Sequence, residues 1–275
     1  MYSGNTNIIN NKGVTFLKYA PFNNIDFIIH ASSTRIGGVS KGELGSMNFG
    51  APLRDSAENI RKNYELFCDA AGIDIRSLVI SSQFHNANIK VCAKEDRGAG
   101  VLYPLPYSDI DALVTNEAGV TLCVFSADCV PVLFADIENR AIGACHCGWK
   151  GTYKELAKLT FLKMKELYGT NEENIRVVIA PGIKKCCYEV SGELYKDFEE
   201  KFGRIAKKDA LEIRDSRFFL DLPLFNKYIL TDLNIPEENI FVSDLCPCCE
   251  RELLHSHRAT AGKRGIMGHF IGIVT

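Results

Sequence analysis

Basic residues are not in excess in this 275-residue sequence: 32 Lys and Arg stand against 34 Asp and Glu, a net charge of −2. That balance excludes a strongly basic nucleic-acid footprint over the whole chain. Long apolar runs are missing too. The longest, 118–135, is interrupted by Asp128, short of the ~20 residues that a membrane-spanning helix needs. No G-x-x-x-x-G-K-[ST] occurs and no G-x-G-x-x-G follows a strand-like run, which argues against P-loop and dinucleotide chemistry. Histidine is scarce, six in all, and tryptophan occurs once. The first residues, MYSGNTNIINNKGVTFLKYA, lack a basic start followed by an apolar stretch, so no secretory leader is read and a cytoplasmic protein is expected.

Cysteine is abundant by contrast, with 11 residues. An odd count without an export signal points to a reducing compartment rather than a disulfide framework. No repeat, low-complexity tract or Pro/Ser linker divides the chain, and one domain over residues 1–275 is expected.

Strand-like runs alternate with helical ones, the pattern of an α/β fold. Strands are predicted at 25–30, 78–82, 88–93, 111–115, 120–126, 130–135, 140–146, 175–180, 239–243 and 266–274. Helices are predicted at 55–71, 152–168, 191–202 and from Asp221 onward. Asp55 with Glu58, and Thr152 with Glu155, have capping-box spacing, while Gly72, Gly169 and Gly203 can end helices. Strands between 111 and 146 follow one another closely, so an antiparallel or mixed sheet is expected rather than a doubly wound parallel one.

Two histidines sit at strand ends among polar neighbours, His85 in QFHN and His146 in CHCGW. Between them Asp128 and Cys129 interrupt two apolar strands, a poor choice for a core. Two imidazoles and a thiolate can make a three-ligand catalytic zinc site with an open fourth position. The same residues also fit a Cys–His hydrolase, with Cys129 as nucleophile and Asp128 or a carbonyl orienting the imidazole. Spacing alone leaves both open, beside the plainer reading of buried structural Cys and His. The remaining close cysteines, 145/147, 186/187 and 246/248/249, could hold a second metal. Adjacent cysteines rarely reach one ion together, so these are expected to be small core residues.

The segment HCGWKGT (146–152) reads as a strand, a glycine turn and a helix start, where free N–H groups and Lys150 favour an anion. The long loop 32–50 carries Arg35 and Asn48, and the tail 252–265 carries His257, Arg258, Lys263 and Arg264. Arg35 or Arg258 could hold a phosphate, because the guanidinium fork matches its oxygens.

At this point the blocks STRIGGVS (33–40), SMNFG (46–50), QFHNANI (83–89), DALVT (111–115), SADCVPVLFAD (126–136), GACHCGWKGT (143–152), APGIKKCCYEV (180–190) and SHRATAGKRG (256–265) come into register. In order and almost end to end, they resemble the polyphenol-oxidase-like purine nucleoside phosphorylases, also known as laccase-domain or peptidoglycan-editing-factor proteins. Ala180-Pro181-Gly182 and the CPCC of 246–249 depart from that family's usual pattern. The resemblance implies a four-layer α/β/β/α sandwich with mixed sheets and a zinc ion on His85, Cys129 and His146. It implies phosphorolysis of adenosine, inosine and methylthioadenosine, deamination of adenosine, and, in an older claim, copper-dependent oxidation of phenols. Catalytic roles are then expected for Cys129, His85, His146, Asp128 and Arg35, and substrate contacts from Arg35, Asn48, Gln83, Lys150 and Arg258. Purine nucleosides and phosphate are the expected partners, without nucleic acid or membrane, and a monomer is expected for want of a heptad or repeat. So few imidazoles argue against a multinuclear copper cluster, while Cu2+ at the same Cys/His set is chemically reasonable.

Overall fold

A computed structural model describes residues 6–50, 55–206 and 209–274. In chain order the strands and helices are β1 (Thr6–Asn11), β2 (Val14–Tyr19), α1 (Ala20–Asn23), β3 (Ile28–Ser33), α2 (Ala57–Ala71), β4 (Leu78–Ile80), β5 (Ile89–Val91), β6 (Ala112–Thr115), β7 (Thr121–Ser126), β8 (Val130–Asp136) and β9 (Ala141–Cys147). They continue as α3 (Trp149–Tyr153), α4 (Leu156–Tyr168), β10 (Ile175–Ile179), β11 (Glu189–Val190), α5 (Gly192–Phe202), β12 (Leu211–Arg214), β13 (Arg217–Leu220), α6 (Leu222–Thr231), β14 (Ile240–Val242) and β15 (Met267–Ile273).

One six-stranded sheet has the order β1-β2-β3-β15-β7-β4 and a second has β14-β10-β8-β9-β6-β5. Each mixes antiparallel and parallel pairs, the parallel ones being β4 on β7 in the first and β5 on β6 and β10 on β14 in the second. The strand alternation explains the layering. On β9, Ile142 and Ala144 face the gap between the sheets, whereas Ala141, Cys145 and Cys147 face the helices. On β15, Ile271 and Ile273 face the gap and Phe270 faces outward. Phe270 stacks on Phe67 of α2 at 4.7 Å between centroids, so α2 covers the first sheet. Helices α4, α5 and α6 cover the second through Phe161, Phe198 and Phe225. The result is the expected α/β/β/α sandwich of mixed sheets.

All ten strands read from the sequence are present, with ends moved by at most three residues. The hairpin β1–β2 and the small sheet β11-β13-β12 were not anticipated. β1 is almost wholly exposed and β11 has two residues, so neither carries a core-facing pattern. β2, by contrast, is buried on both faces through Val14, Phe16, Leu17 and Tyr19 and was missed although its residues are apolar. The mixed sheets expected from the close succession of strands between 111 and 146 are present, but these strands do not all share one sheet. β6, β8 and β9 lie in one sheet and β7 in the other, so the chain crosses between sheets at 116–120 and again at 127–129.

Two caps also differ from expectation. Ser56, not Asp55, caps α2 by accepting the N–H of Asn59. The helix expected from Thr152 is broken into α3 and α4, with Glu155 at φ 58° between them and no side-chain cap. Thr152 is instead buried, accepting a hydrogen bond from Asn226 Nδ2 at 3.0 Å. That demand from α6 takes away the hydroxyl a capping box would have used.

Candidate active site

The crossings between the sheets build the site. His85 lies on the passage from β4 in one sheet to β5 in the other, and Cys129 on the passage from β7 to β8. His146 is the penultimate residue of β9 and shares the parity of Ile142 and Ala144, so its ring faces the open end of the inter-sheet gap. One ligand atom from each of His85, Cys129 and His146 lies within 4.8 Å of the others. Two residues of these crossings, His85 at φ 61° and Asp128 at φ 92°, occupy backbone conformations that non-glycine residues seldom adopt. Such outliers persist where surrounding contacts over-determine them.

The contact that does so at His85 comes from a residue the sequence reading did not single out. Asp111 is fully buried, and its Oδ1 lies 2.9 Å from His146 Nδ1. The same oxygen accepts the N–H of His85 at 3.1 Å, while Oδ2 accepts the N–H groups of Phe84 and Asn86 at 3.0 and 2.9 Å. One carboxylate therefore orients one imidazole and pins the loop that carries the other. Burial opposes its charge, but the His146 ring and the N–H groups of Asn86 and Phe84 outweigh that and hold its pKa below the usual value. The available signal was an acid at the mouth of an apolar strand, in DALVT.

Burial likewise disfavours a Cys129 thiolate, yet His146 and His85 prevail and lower the thiol to about 6. His146 is raised to about 10 against the cost of burial, by Cys129 first and then Asp111. With Nδ1 committed to Asp111, Nε2 of His146 is the atom left for a ligand, the arrangement usual for metal-binding imidazoles. Gly148 completes the fit: a Cβ there would lie 2.9 Å from Cys129 Sγ and 3.1 Å from His85 Cδ2. A donor set of two imidazoles and a thiolate, oriented by a buried carboxylate and cleared by a glycine, suits a divalent metal ion.

The trio opens into a cleft of about 560 Å³, whose walls include Phe49, Tyr64, Tyr103, Phe125 and Ile266 with Gln83 and Arg264. Of the other residues expected at the site, only Gln83 lines this cleft. Its amide is held by the backbone of Phe125, with Nε2 donating to the carbonyl at 2.8 Å and Oε1 accepting the N–H at 2.6 Å. Asn48 is buried behind the wall, where its Oδ1 accepts the N–H groups of Gly50 and Ile266. Arg35 does not reach the cleft; its guanidinium donates to the carbonyls of Gly45 and Arg251. Arg258 clamps the carbonyls of Cys187 and Glu189, and its N–H donates to Asp128 Oδ2 at 2.6 Å. Asp128 is thus a tie between loops, with burial raising its pKa. Lys150 is exposed on α3 beside Trp149, and neither lines the cleft. Among the described residues, the arginine or lysine that does is Arg264.

These features define a four-layer sandwich protein with an oriented centre of two histidines and one cysteine at the seam between its sheets. Residues 29–274 match the family described as multi-copper polyphenol oxidoreductase laccase, and the chain belongs to that family. Its relatives include purine nucleoside phosphorylase YlmD of Bacillus subtilis, 34% identical over 90% of this chain and 88% of that protein. A purine nucleoside phosphorylase of Bacteroides thetaiotaomicron is 28% identical over 92% of this chain and 94% of that one. The crystal structure of YlmD from Geobacillus stearothermophilus superimposes with a TM-score of 0.87 at 28% identity, covering 98% of this chain and all of that one.

Proposed function

We propose that this protein is a zinc enzyme of purine nucleosides, cleaving adenosine, inosine and methylthioadenosine with phosphate and deaminating adenosine. The observation that carries the reading is the meeting of the His85–Cys129–His146 donor set with an aromatic-walled cleft that also contains Arg264. The phosphorylase names of the relatives support the substrate class. A zinc ion held by His85, Cys129 and His146 would supply Lewis acidity for acidifying water and polarising a purine. The rest follows from the chain's own residues. Phe49, Tyr64 and Phe125 offer flat apolar faces to a base. Arg264 holds phosphate, a role its place in the wall favours over Arg35. A phosphate oxygen attacks C1′ of the ribose, the C1′–N9 bond breaks, and its electron pair leaves with the purine, which takes a proton from water. In deamination, water replaces the amino group at C6 and ammonia departs. Asp128 holds the 258 backbone beside Cys129, so it acts on the reaction through position.

Copper-dependent oxidation has less support from the donors. Of the six histidines, His30, His255 and His269 are buried and hydrogen-bonded to Tyr19 N–H, Met47 carbonyl and two serines respectively. His257 is on an exposed loop. Only His85 and His146 share a ligand cluster among the described residues, too few for a multinuclear copper centre. A second reading, a hydrolase with Cys129 as nucleophile, is favoured by the lowered thiol and the His146–Asp111 pair, a triad-like order. Elemental analysis followed by inosine turnover with and without phosphate separates these. Phosphate-dependent release of hypoxanthine by zinc-loaded protein is expected. Zinc-loaded protein inert to inosine and adenosine refutes the purine reading, and a thiol-dependent activity without metal favours the hydrolase.

A further inference from the structure

The cysteines divide into two populations. Cys68, Cys92, Cys123, Cys145 and Cys147 are buried, as small core residues should be. Cys186 and Cys249 are exposed and Cys187 is half-buried, so packing does not account for them. These three meet Cys246 in a cluster whose four sulfur atoms all lie within 4.8 Å of one another. Cys249 Sγ is 3.5 Å from Cys186 Sγ and 3.4 Å from Cys187 Sγ. A zinc ion with Zn–S bonds of about 2.3 Å implies sulfur–sulfur edges of roughly 3.8 Å in a tetrahedron. A disulfide instead requires about 2.05 Å.

The fold explains how the four converge. β10 and β14 pair in parallel, so the turns that follow them leave the sheet at the same end. The first turn, closed by the N–H of Cys187 on the carbonyl of Lys184, brings adjacent Cys186 and Cys187 to one side. That answers the objection that neighbouring cysteines seldom share an ion. Cys246 and Cys249 in the second turn have C-x-x-C spacing within CPCC, a metal signature that the expectation of core cysteines passed over. Burial raises the Cys246 thiol, and the N–H groups of Lys184, Cys249 and Cys248 at its sulfur act against that rise and favour a thiolate.

We propose that Cys186, Cys187, Cys246 and Cys249 form a second metal site, a closed tetrathiolate zinc centre that staples the turn after β10 to the turn after β14. Four soft thiolates with no open position select zinc among the common divalent ions and mark a structural site. Without a cation the sulfurs oppose one another's ionisation: burial and then the neighbouring Cys246 raise Cys186 to about 12. Binding releases the thiol protons to solvent as four Zn–S bonds form, with no redox step. The staple adjoins the catalytic wall, since Arg258 holds the carbonyl of Cys187 and donates its N–H to Asp128. It does not depend on the nucleoside reading.

The test is zinc stoichiometry of the full chain purified without chelator, with the cobalt(II) spectrum as a second readout. Wild type should carry about two zinc ions per chain, and the Cys129→Ala variant about one. Cobalt in Cys129→Ala should give the intense visible bands and near-ultraviolet charge transfer of tetrahedral cobalt thiolate. The Cys186→Ser/Cys249→Ser double variant should lose about one equivalent and, combined with Cys129→Ala, that spectrum. Should the double variant fail to fold, Cys129→Ala alone decides. A metal-free Cys129→Ala protein, bound cobalt without thiolate bands, or an intact mass showing disulfides in this cluster overturns the proposal.

Discussion

Replacing Asp111 with Asn removes one oxygen and one charge while keeping the shape. Each carboxylate oxygen now has two partners: Oδ1 takes His85 N–H and His146 Nδ1, and Oδ2 takes the N–H groups of Phe84 and Asn86. An amide can satisfy only one of these pairs. If its NH2 replaces Oδ2, two backbone donors face a donor, at a cost of ~1–3 kcal/mol each, or about 2–6 kcal/mol together. If it replaces Oδ1, His146 must present a lone pair at Nδ1, which puts its proton on Nε2, the atom proposed to hold the metal. Either way the loop bearing His85 or the ring of His146 loses its orientation. Loss of such an orienting partner typically lowers metal affinity by about 10–100-fold. Zinc competition against a chromophoric chelator, with urea unfolding of the metal-free proteins, measures both effects. Asp111→Asn with zinc affinity within about twofold of wild type and an unchanged unfolding midpoint refutes the role given to this carboxylate.

Gly148→Ala tests the closeness of the ligands. Its backbone is ordinary, with φ −66°, so no strain arises there, but the new Cβ meets Cys129 Sγ at 2.9 Å. Zinc affinity should fall at least about tenfold, with a stability cost nearer ~1–3 kcal/mol; normal zinc binding shows that the ligands have room to spare. In metal-free protein, alkylation of Cys129 should rise as pH increases through about 6, because only the thiolate reacts, and zinc should suppress it. A midpoint at the ordinary thiol value of about 8.5 contradicts the His146–Cys129 coupling. Arg264→Gln should raise KM for phosphate by roughly tenfold or more, the scale of a lost charge-assisted hydrogen bond. Arg35→Gln should leave that KM nearly unchanged and lower stability through the lost carbonyl contacts. The reverse pattern in steady-state kinetics moves the phosphate site to Arg35.

Local pattern carried much of the fold. Val- and Ile-rich runs located ten strands, and apolar spacing with Gly72 located α2, because those signals act within a few residues. The break between α3 and α4 was illegible for the opposite reason. Thr152 is claimed by Asn226, 74 residues away, and no local spacing records that claim. The trio itself was nominated by type, as histidines and a thiol at strand ends. Its selection over the close cysteine pairs was only half of the account, since the turns after β10 and β14 gather a second set.

What the sequence determined by itself is therefore the inventory: which residues can ligate, which runs become strands, and the absence of phosphate-loop and membrane-spanning patterns. Tertiary structure decided which of these meet. His85 and His146 are 61 positions apart by number, and they converge because the chain crosses between two sheets and one buried carboxylate bonds to both sides of the crossing. It also decided that Arg264 lines the cleft while Arg35 is turned to the carbonyls of Gly45 and Arg251. Side-chain type sets what a residue can do; the long-range hydrogen bonds that consume or free its polar atoms set whether it is available to do it.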